Sequence, residues 1–139
     1  MSDSMDMAAL EAFIESDFPQ IKGGFRVEAL TDDGVVIRAL VGADNLRPGG
    51  TVSGPSMFAL ADLAVYFAIL RRLGPVALAV TTNASIDFMR KPVADRDLLG
   101  EARLLKLGRV LAVGDVMIRS EGSDDVVARA SMTYSIPPR

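Results

Sequence analysis

The chain of 139 residues contains no histidine, no cysteine and no tryptophan. Without histidine there is no Ser-His-Asp or Cys-His nucleophile, no His-ligated zinc and no imidazole-based dehydration chemistry. Without cysteine there is no disulfide framework, thiolate nucleophile or thiolate metal site. Acid–base work therefore falls to Asp, Glu, Tyr or Lys. Runs of Lys and Arg are also missing, and the formal charge of −3 gives no electrostatic footprint for a phosphate backbone, so nucleic acid is not an expected partner. The apolar run over residues 57–70 is too short to span a bilayer and carries Asp62, so no membrane segment is expected. The acidic start, Met-Ser-Asp-Ser-Met-Asp, lacks the basic region of a secretory signal, and the expectation is a cytoplasmic protein.

Half the residues are apolar, enough for a core without staples, so a single domain over residues 1–139 is expected. Met7, Leu10, Phe13 and Ile14 recur at helical spacing, which predicts a short amphipathic helix over residues 5–18, closed by Pro19, within an N-terminal segment 1–20. Residues 25–30 and 35–41 read as two antiparallel strands around Thr31-Asp32-Asp33-Gly34, whose Asp-Gly favours a tight hairpin turn. Pro55 suits a first helical position, and a helix is predicted over residues 55–73, stopping at Gly74-Pro75. Residues 77–90, 98–107, 110–119 and 126–136 then read as four strands. Helix, two strands, long apolar helix, four strands describes an α+β domain in which a curved antiparallel sheet wraps a central helix that is greasy on every face.

Within that helix stands one carboxylate, Asp62. Burying an ionised acid without partners is costly, so it must be paired, exposed, or kept for its chemistry. A structural acid satisfied by a hydroxyl, a backbone donor or Arg47 remains the plain alternative. Likewise Gly54-Pro55 could be only a turn and a helix start, and exposed cations could be only solvated.

Arg47 to Pro55 (Arg-Pro-Gly-Gly-Thr-Val-Ser-Gly-Pro), followed by Asp62, resembles the hotdog-fold thioesterases, specifically the phenylacetate-pathway type that hydrolyses acyl-CoA. That family carries a loop Asn or Gln, then His-Gly-Gly, then a helix with an acid eight residues beyond the first Gly. Here Ser53-Gly54-Pro55 stands at His-Gly-Gly, Asp62 at the acid and Arg47 at the loop amide. Phe88-Met89-Arg90-Lys91-Pro92, Leu99-Gly100-Glu101-Ala102 and Leu107-Gly108-Arg109 are similar to its downstream succession, and the likeness runs from about Gly23 to Ser135.

The resemblance implies a hotdog fold pairing through its sheets into a homodimer, and as a dimer of dimers into a homotetramer, with sites between subunits and no metal or redox cofactor. It implies acyl-CoA as substrate. The Gly54 N–H would stabilise the oxyanion, and Asp62 of the facing subunit would act as general base or nucleophile. Thr81, or its neighbour Thr82, would place the water, with Arg47 in support. Ser53, Pro55, Phe58 and Tyr66 would line the substrate, core packing being the plainer reading of Phe58 and Tyr66, and Arg90, Lys91 and Arg109 would meet the CoA phosphates. The competing expectation is a non-catalytic acyl-CoA-binding or scaffold protein in which Arg47 neutralises Asp62. Hydratase chemistry is disfavoured because such folds ordinarily use histidine for it.

Overall fold

The structure is a computed structural model that describes residues 4–76 and 78–138. The elements are α1 (Met7–Ser16), β1 (Phe25–Leu30), β2 (Gly34–Ala39), α2 (Gly54–Leu73), β3 (Val80–Phe88), β4 (Leu98–Leu107), β5 (Leu111–Ser120) and β6 (Val126–Ser135). The six strands form one antiparallel sheet in the order β1-β2-β4-β5-β6-β3. A long helix on one curved antiparallel sheet, with a short N-terminal helix beside it, is the hotdog arrangement. The N-terminal residues 1–3, the strand start expected at Ala77 and the last residue, Arg139, lie outside the described residues.

Helix α2 is the spine of the core. Ser53 caps it, accepting the Ser56 N–H, so the helix starts at Gly54, one residue before the expected Pro55. Leu60, Ala61, Ala64, Val65, Phe67, Ile69 and Leu70 are buried against the sheet. Two glycines let the helix seat closely: a Cβ on Gly100 would lie 3.0 Å from Leu60, and one on Gly114 3.0 Å from Val65. The sheet wraps most of this apolar helix but not all of it. Pro55, Phe58 and Asp62, one turn apart, form a stripe that the sheet does not cover, Phe58 being 38 % exposed.

Local chemistry explains where the other boundaries fall. Asp6 caps α1 by accepting the Ala9 N–H at 2.8 Å, and Leu10, Phe13 and Ile14 form its buried face. Strand β2 ends at Ala39 rather than at residue 41 because the Val41 N–H turns to Asp97 Oδ1 at 3.0 Å. Asp97 also pairs with the buried Arg38, as do Glu28 and Glu121. This network ties β1, β2 and the ends of β4 and β5 on the face away from α2.

The two edges of the sheet are treated differently. On β1, Glu11 of α1 accepts the Val27 N–H at 2.7 Å, so the helix covers that edge. On β3 no described element covers the edge, and Val80 and Phe88 are exposed. An uncovered strand edge presents unpaired donors and acceptors to another chain.

Gly34 has a different duty from the one its Asp-Gly context suggests. Its φ is not positive; instead it opens β2, pairing with Arg103 of β4. A Cβ there would fall 1.7 Å from the Ala102 carbonyl oxygen, a backbone atom that cannot rotate aside. We therefore expect Gly34→Ala to lower unfolding free energy by about 3 kcal/mol or more, measured by urea denaturation. An unchanged urea midpoint would show that the two strands can part without cost.

Candidate active site

Asp62 sits half-buried on the uncovered stripe of α2, and two hydroxyls converge on it. Thr81 Oγ1 donates to Oδ1 at 2.6 Å, and the Tyr134 hydroxyl lies 2.8 Å from the same oxygen and 2.9 Å from the Asp62 backbone carbonyl. No described residue donates to Oδ2. Phe18, Leu63, Tyr66, Ala79 and Val80 complete the walls of a cavity of about 280 Å³ around the carboxylate. Tyr66 is thus both a core residue and a wall of this cavity.

A β-bulge brings Thr81 here. Along β3, Phe88, Ile86 and Ala84 pair with Ala128, Ala130 and Met132 of β6, and plain alternation would next turn Thr82 toward the helix. The register instead slips between Thr81 and Asn83, so Thr81 pairs with Tyr134 and both face Asp62. Thr82, expected as the alternative water ligand, is exposed, and its hydroxyl donates to the Thr133 carbonyl at 3.3 Å, away from the acid.

Gly54 lies in a second cavity, of about 420 Å³, with Arg47, Thr51, Met57, Phe88, Met89, Arg90 and Lys91 on its walls. As the first residue of α2 its N–H has no intrahelical acceptor and stands at the positive end of the helix dipole. The Phe88 ring covers it so closely that a Cβ on Gly54 would be 3.3 Å from the ring. Arg47 is exposed and, among the described residues, forms no ion pair, so it does not neutralise Asp62 within the chain. Arg90 pairs with Asp125 at 3.4 Å, both side chains largely exposed.

Several expected site residues are placed elsewhere. Ser53 is occupied as the helix cap and donates to Ser56 Oγ at 3.0 Å. Pro55 and Phe58 line neither cavity; both stand on the open stripe of α2. Arg109 borders a third cavity with Val110, Ser135, Ile136, Pro137 and Pro138, apart from Arg90 and Lys91. The loop does carry an amide, Asn45, but its Oδ1 accepts the Gly42 N–H and its Nδ2 donates to Ser56 Oγ, so it braces the turn before α2. Tyr134 was not among the expected site residues. Only its strand partnership with Thr81 brings it to Asp62, 72 residues away in sequence.

A carboxylate held by two hydroxyls and a helix-start N–H under an aromatic ring thus lie in separate cavities of one hotdog fold. The thioesterase superfamily model matches residues 49–127, and the chain belongs to that superfamily; it is a thioester hydrolase. It is 61 % identical to a provisionally assigned thioesterase from Silicibacter sp. TM1040, covering 96 % of this chain and 93 % of that one, with a TM-score of 0.89. A mutant of the phenylacetic acid degradation protein PaaI from Thermus thermophilus is 29 % identical, covering 86 % and 99 %, with a TM-score of 0.73. A hypothetical thioesterase from Streptococcus pneumoniae TIGR4, solved with coenzyme A, is 23 % identical, covering 83 % and 87 %, with a TM-score of 0.71. No match is found among the curated proteins.

Both tyrosines are held above the ordinary phenol range. Burial is the main cause in each, followed by the charge of Asp62 for Tyr134 and of Asp17 for Tyr66. The unfolded chain releases these protons near pH ~10 while the folded chain keeps them, so this share of stability is complete below that pH and is lost as pH rises above it. We expect the urea midpoint to fall between about pH 9 and about pH 11, and Tyr134→Phe to flatten that fall. An equal fall in the variant would mean that Tyr134 is not the group responsible.

Proposed function

We propose that the protein hydrolyses acyl-CoA thioesters at two equivalent sites, each built from both chains of a twofold dimer. The observation that carries this reading is the position of the two cavities at opposite ends of the uncovered strand β3. Thr81 and Asp62 stand at one end, and Phe88 and Gly54 at the other. Asp62 stands eight residues from Gly54 along α2, roughly 12 Å at about 1.5 Å per residue, so one chain cannot bring its own acid to its own helix-start N–H.

Antiparallel pairing of β3 with its copy, about an axis at Ser85, sets Ala84 opposite Ile86 and, across the bulge, Thr81 of one chain opposite Phe88 of the other. An isologous contact of this kind makes two identical sites. Each site then joins the Asp62 cavity of one chain to the Gly54 cavity of its partner. The exposed Phe58 stripe and the bare β3 edge, both otherwise left to water, fall in the same interface.

The chemistry follows from the parts. The Gly54 N–H and the helix dipole stabilise the oxyanion as the thioester carbonyl is attacked. Asp62, through Oδ2, takes a proton from the attacking water and returns it to the CoA sulfur as the oxyanion collapses and the C–S bond breaks, or attacks the carbonyl itself, expelling CoA and forming an anhydride that water then cleaves; Thr81, donating to Oδ1, can accept a hydrogen bond from that water through its remaining lone pairs. The cationic walls formed by Arg47, Arg90 and Lys91 suit the CoA phosphates, while the aromatic and aliphatic walls around Asp62 suit the acyl group. Coenzyme A in the pneumococcal relative supports that choice of thiol.

A screen of short, medium, long and aromatic acyl-CoAs tests the activity. We expect turnover of at least one of them and a loss of about a hundredfold or more in kcat for Asp62→Asn. Binding of CoA esters without any turnover would favour the scaffold reading. Dilution tests the composite site: turnover per chain should fall together with the two-chain species in sedimentation velocity. Undiminished turnover by a monomer would overturn the shared site.

A further inference from the structure

We propose that Tyr134 is a positioning residue for hydrolysis, its hydroxyl donating to Oδ1 of Asp62 so that Oδ2 is presented to the attacking water or the thioester carbonyl. This inference rests on the hydrolytic reading and goes beyond it in naming what aims the acid.

An aspartate carboxylate rotates in a broad, shallow torsional well, and a single donor leaves it free to swing. Here two donors from paired strands meet one oxygen: Thr81 of β3 at 2.6 Å and Tyr134 of β6 at 2.8 Å. Rotation of the carboxylate would break both contacts at once.

Tyr134 is itself held firmly. It is 3 % exposed, and its ring stacks on Tyr66 at 6.0 Å between centroids with 26° between planes. Tyr66 is in turn braced edge-on by Phe18 at 6.0 Å. The phenol therefore has little freedom beyond the rotation of its own hydroxyl. Of the two acceptors in reach, Oδ1 and the Asp62 backbone carbonyl, the charged carboxylate makes the stronger hydrogen bond. Being far from its own ionisation at neutral pH, the phenol remains a donor throughout the working range.

Two measurements decide the matter. The first needs no turnover: with only two tyrosines in the chain, the Tyr134 hydroxyl proton can be assigned by NMR on tyrosine-labelled protein, using Tyr66→Phe as reference. We expect a slowly exchanging, downfield proton that moves upfield in Asp62→Asn, because its acceptor has lost its charge. A resonance unmoved by Asp62→Asn would identify the backbone carbonyl as acceptor and overturn the proposal.

The second is kinetic. Tyr134→Phe should lower kcat about tenfold on the best acyl-CoA while KM stays within about twofold. The same change in an Asp62→Asn background should cost nothing more, since both act through one carboxylate. An equal loss in both backgrounds would point to a packing effect and overturn the assignment. If no thioester is turned over, the hydrolytic reading fails, while the hydroxyl proton still decides whether Tyr134 holds the acid.

Discussion

Everything in this protein depends on how closely α2 lies in the concave face of its sheet. Leu60 and Val65 reach the strands because Gly100 and Gly114 offer no Cβ to meet them. The helix is apolar enough to be buried on most of its surface, and burial of that area is the main favourable term in folding the domain. What the sheet cannot cover is the stripe carrying Pro55, Phe58 and Asp62. The acid is therefore at a boundary, with packed side chains behind it and an open edge in front.

That boundary position resolves the cost of placing a carboxylate in so greasy a helix. Asp62 is neither stranded in the core nor, among the described residues of its own chain, paired with a cation; hydroxyls from neighbouring strands satisfy one of its oxygens. A buried polar group is tolerable when its hydrogen bonds are made. The bulge at Thr82 is central to this outcome, since it breaks the alternation that would otherwise aim the wrong threonine. The same strand is the bare edge of the sheet, so the element that orients the acid is also the surface on which the proposed dimer rests.

Much of this was legible along the chain. The strands β1, β4 and β6 begin at the residues expected for them, and α2 starts within one residue of Pro55 because proline and a serine cap are local signals. Asp62 stood out as a lone acid in an apolar run, and its spacing from Gly54 carried the resemblance. Gly34 was legible as a hairpin residue, and the structure adds that it needs room beside Ala102. Ser53 was expected to line the substrate, yet its hydrogen bonds are spent on starting the helix.

The sequence by itself determined the element order, the identity of the acid and the absence of any histidine-based chemistry, because composition and periodicity act over short stretches of chain. Only the tertiary structure decided which threonine meets Asp62, that Tyr134 joins it, and that Arg47 stays apart from it within the chain. The first two outcomes turn on strand register, and a shift of one residue reverses the face on which every side chain points. Register is set by packing across the whole sheet, and no local signal in residues 80–82 or near residue 134 carries it.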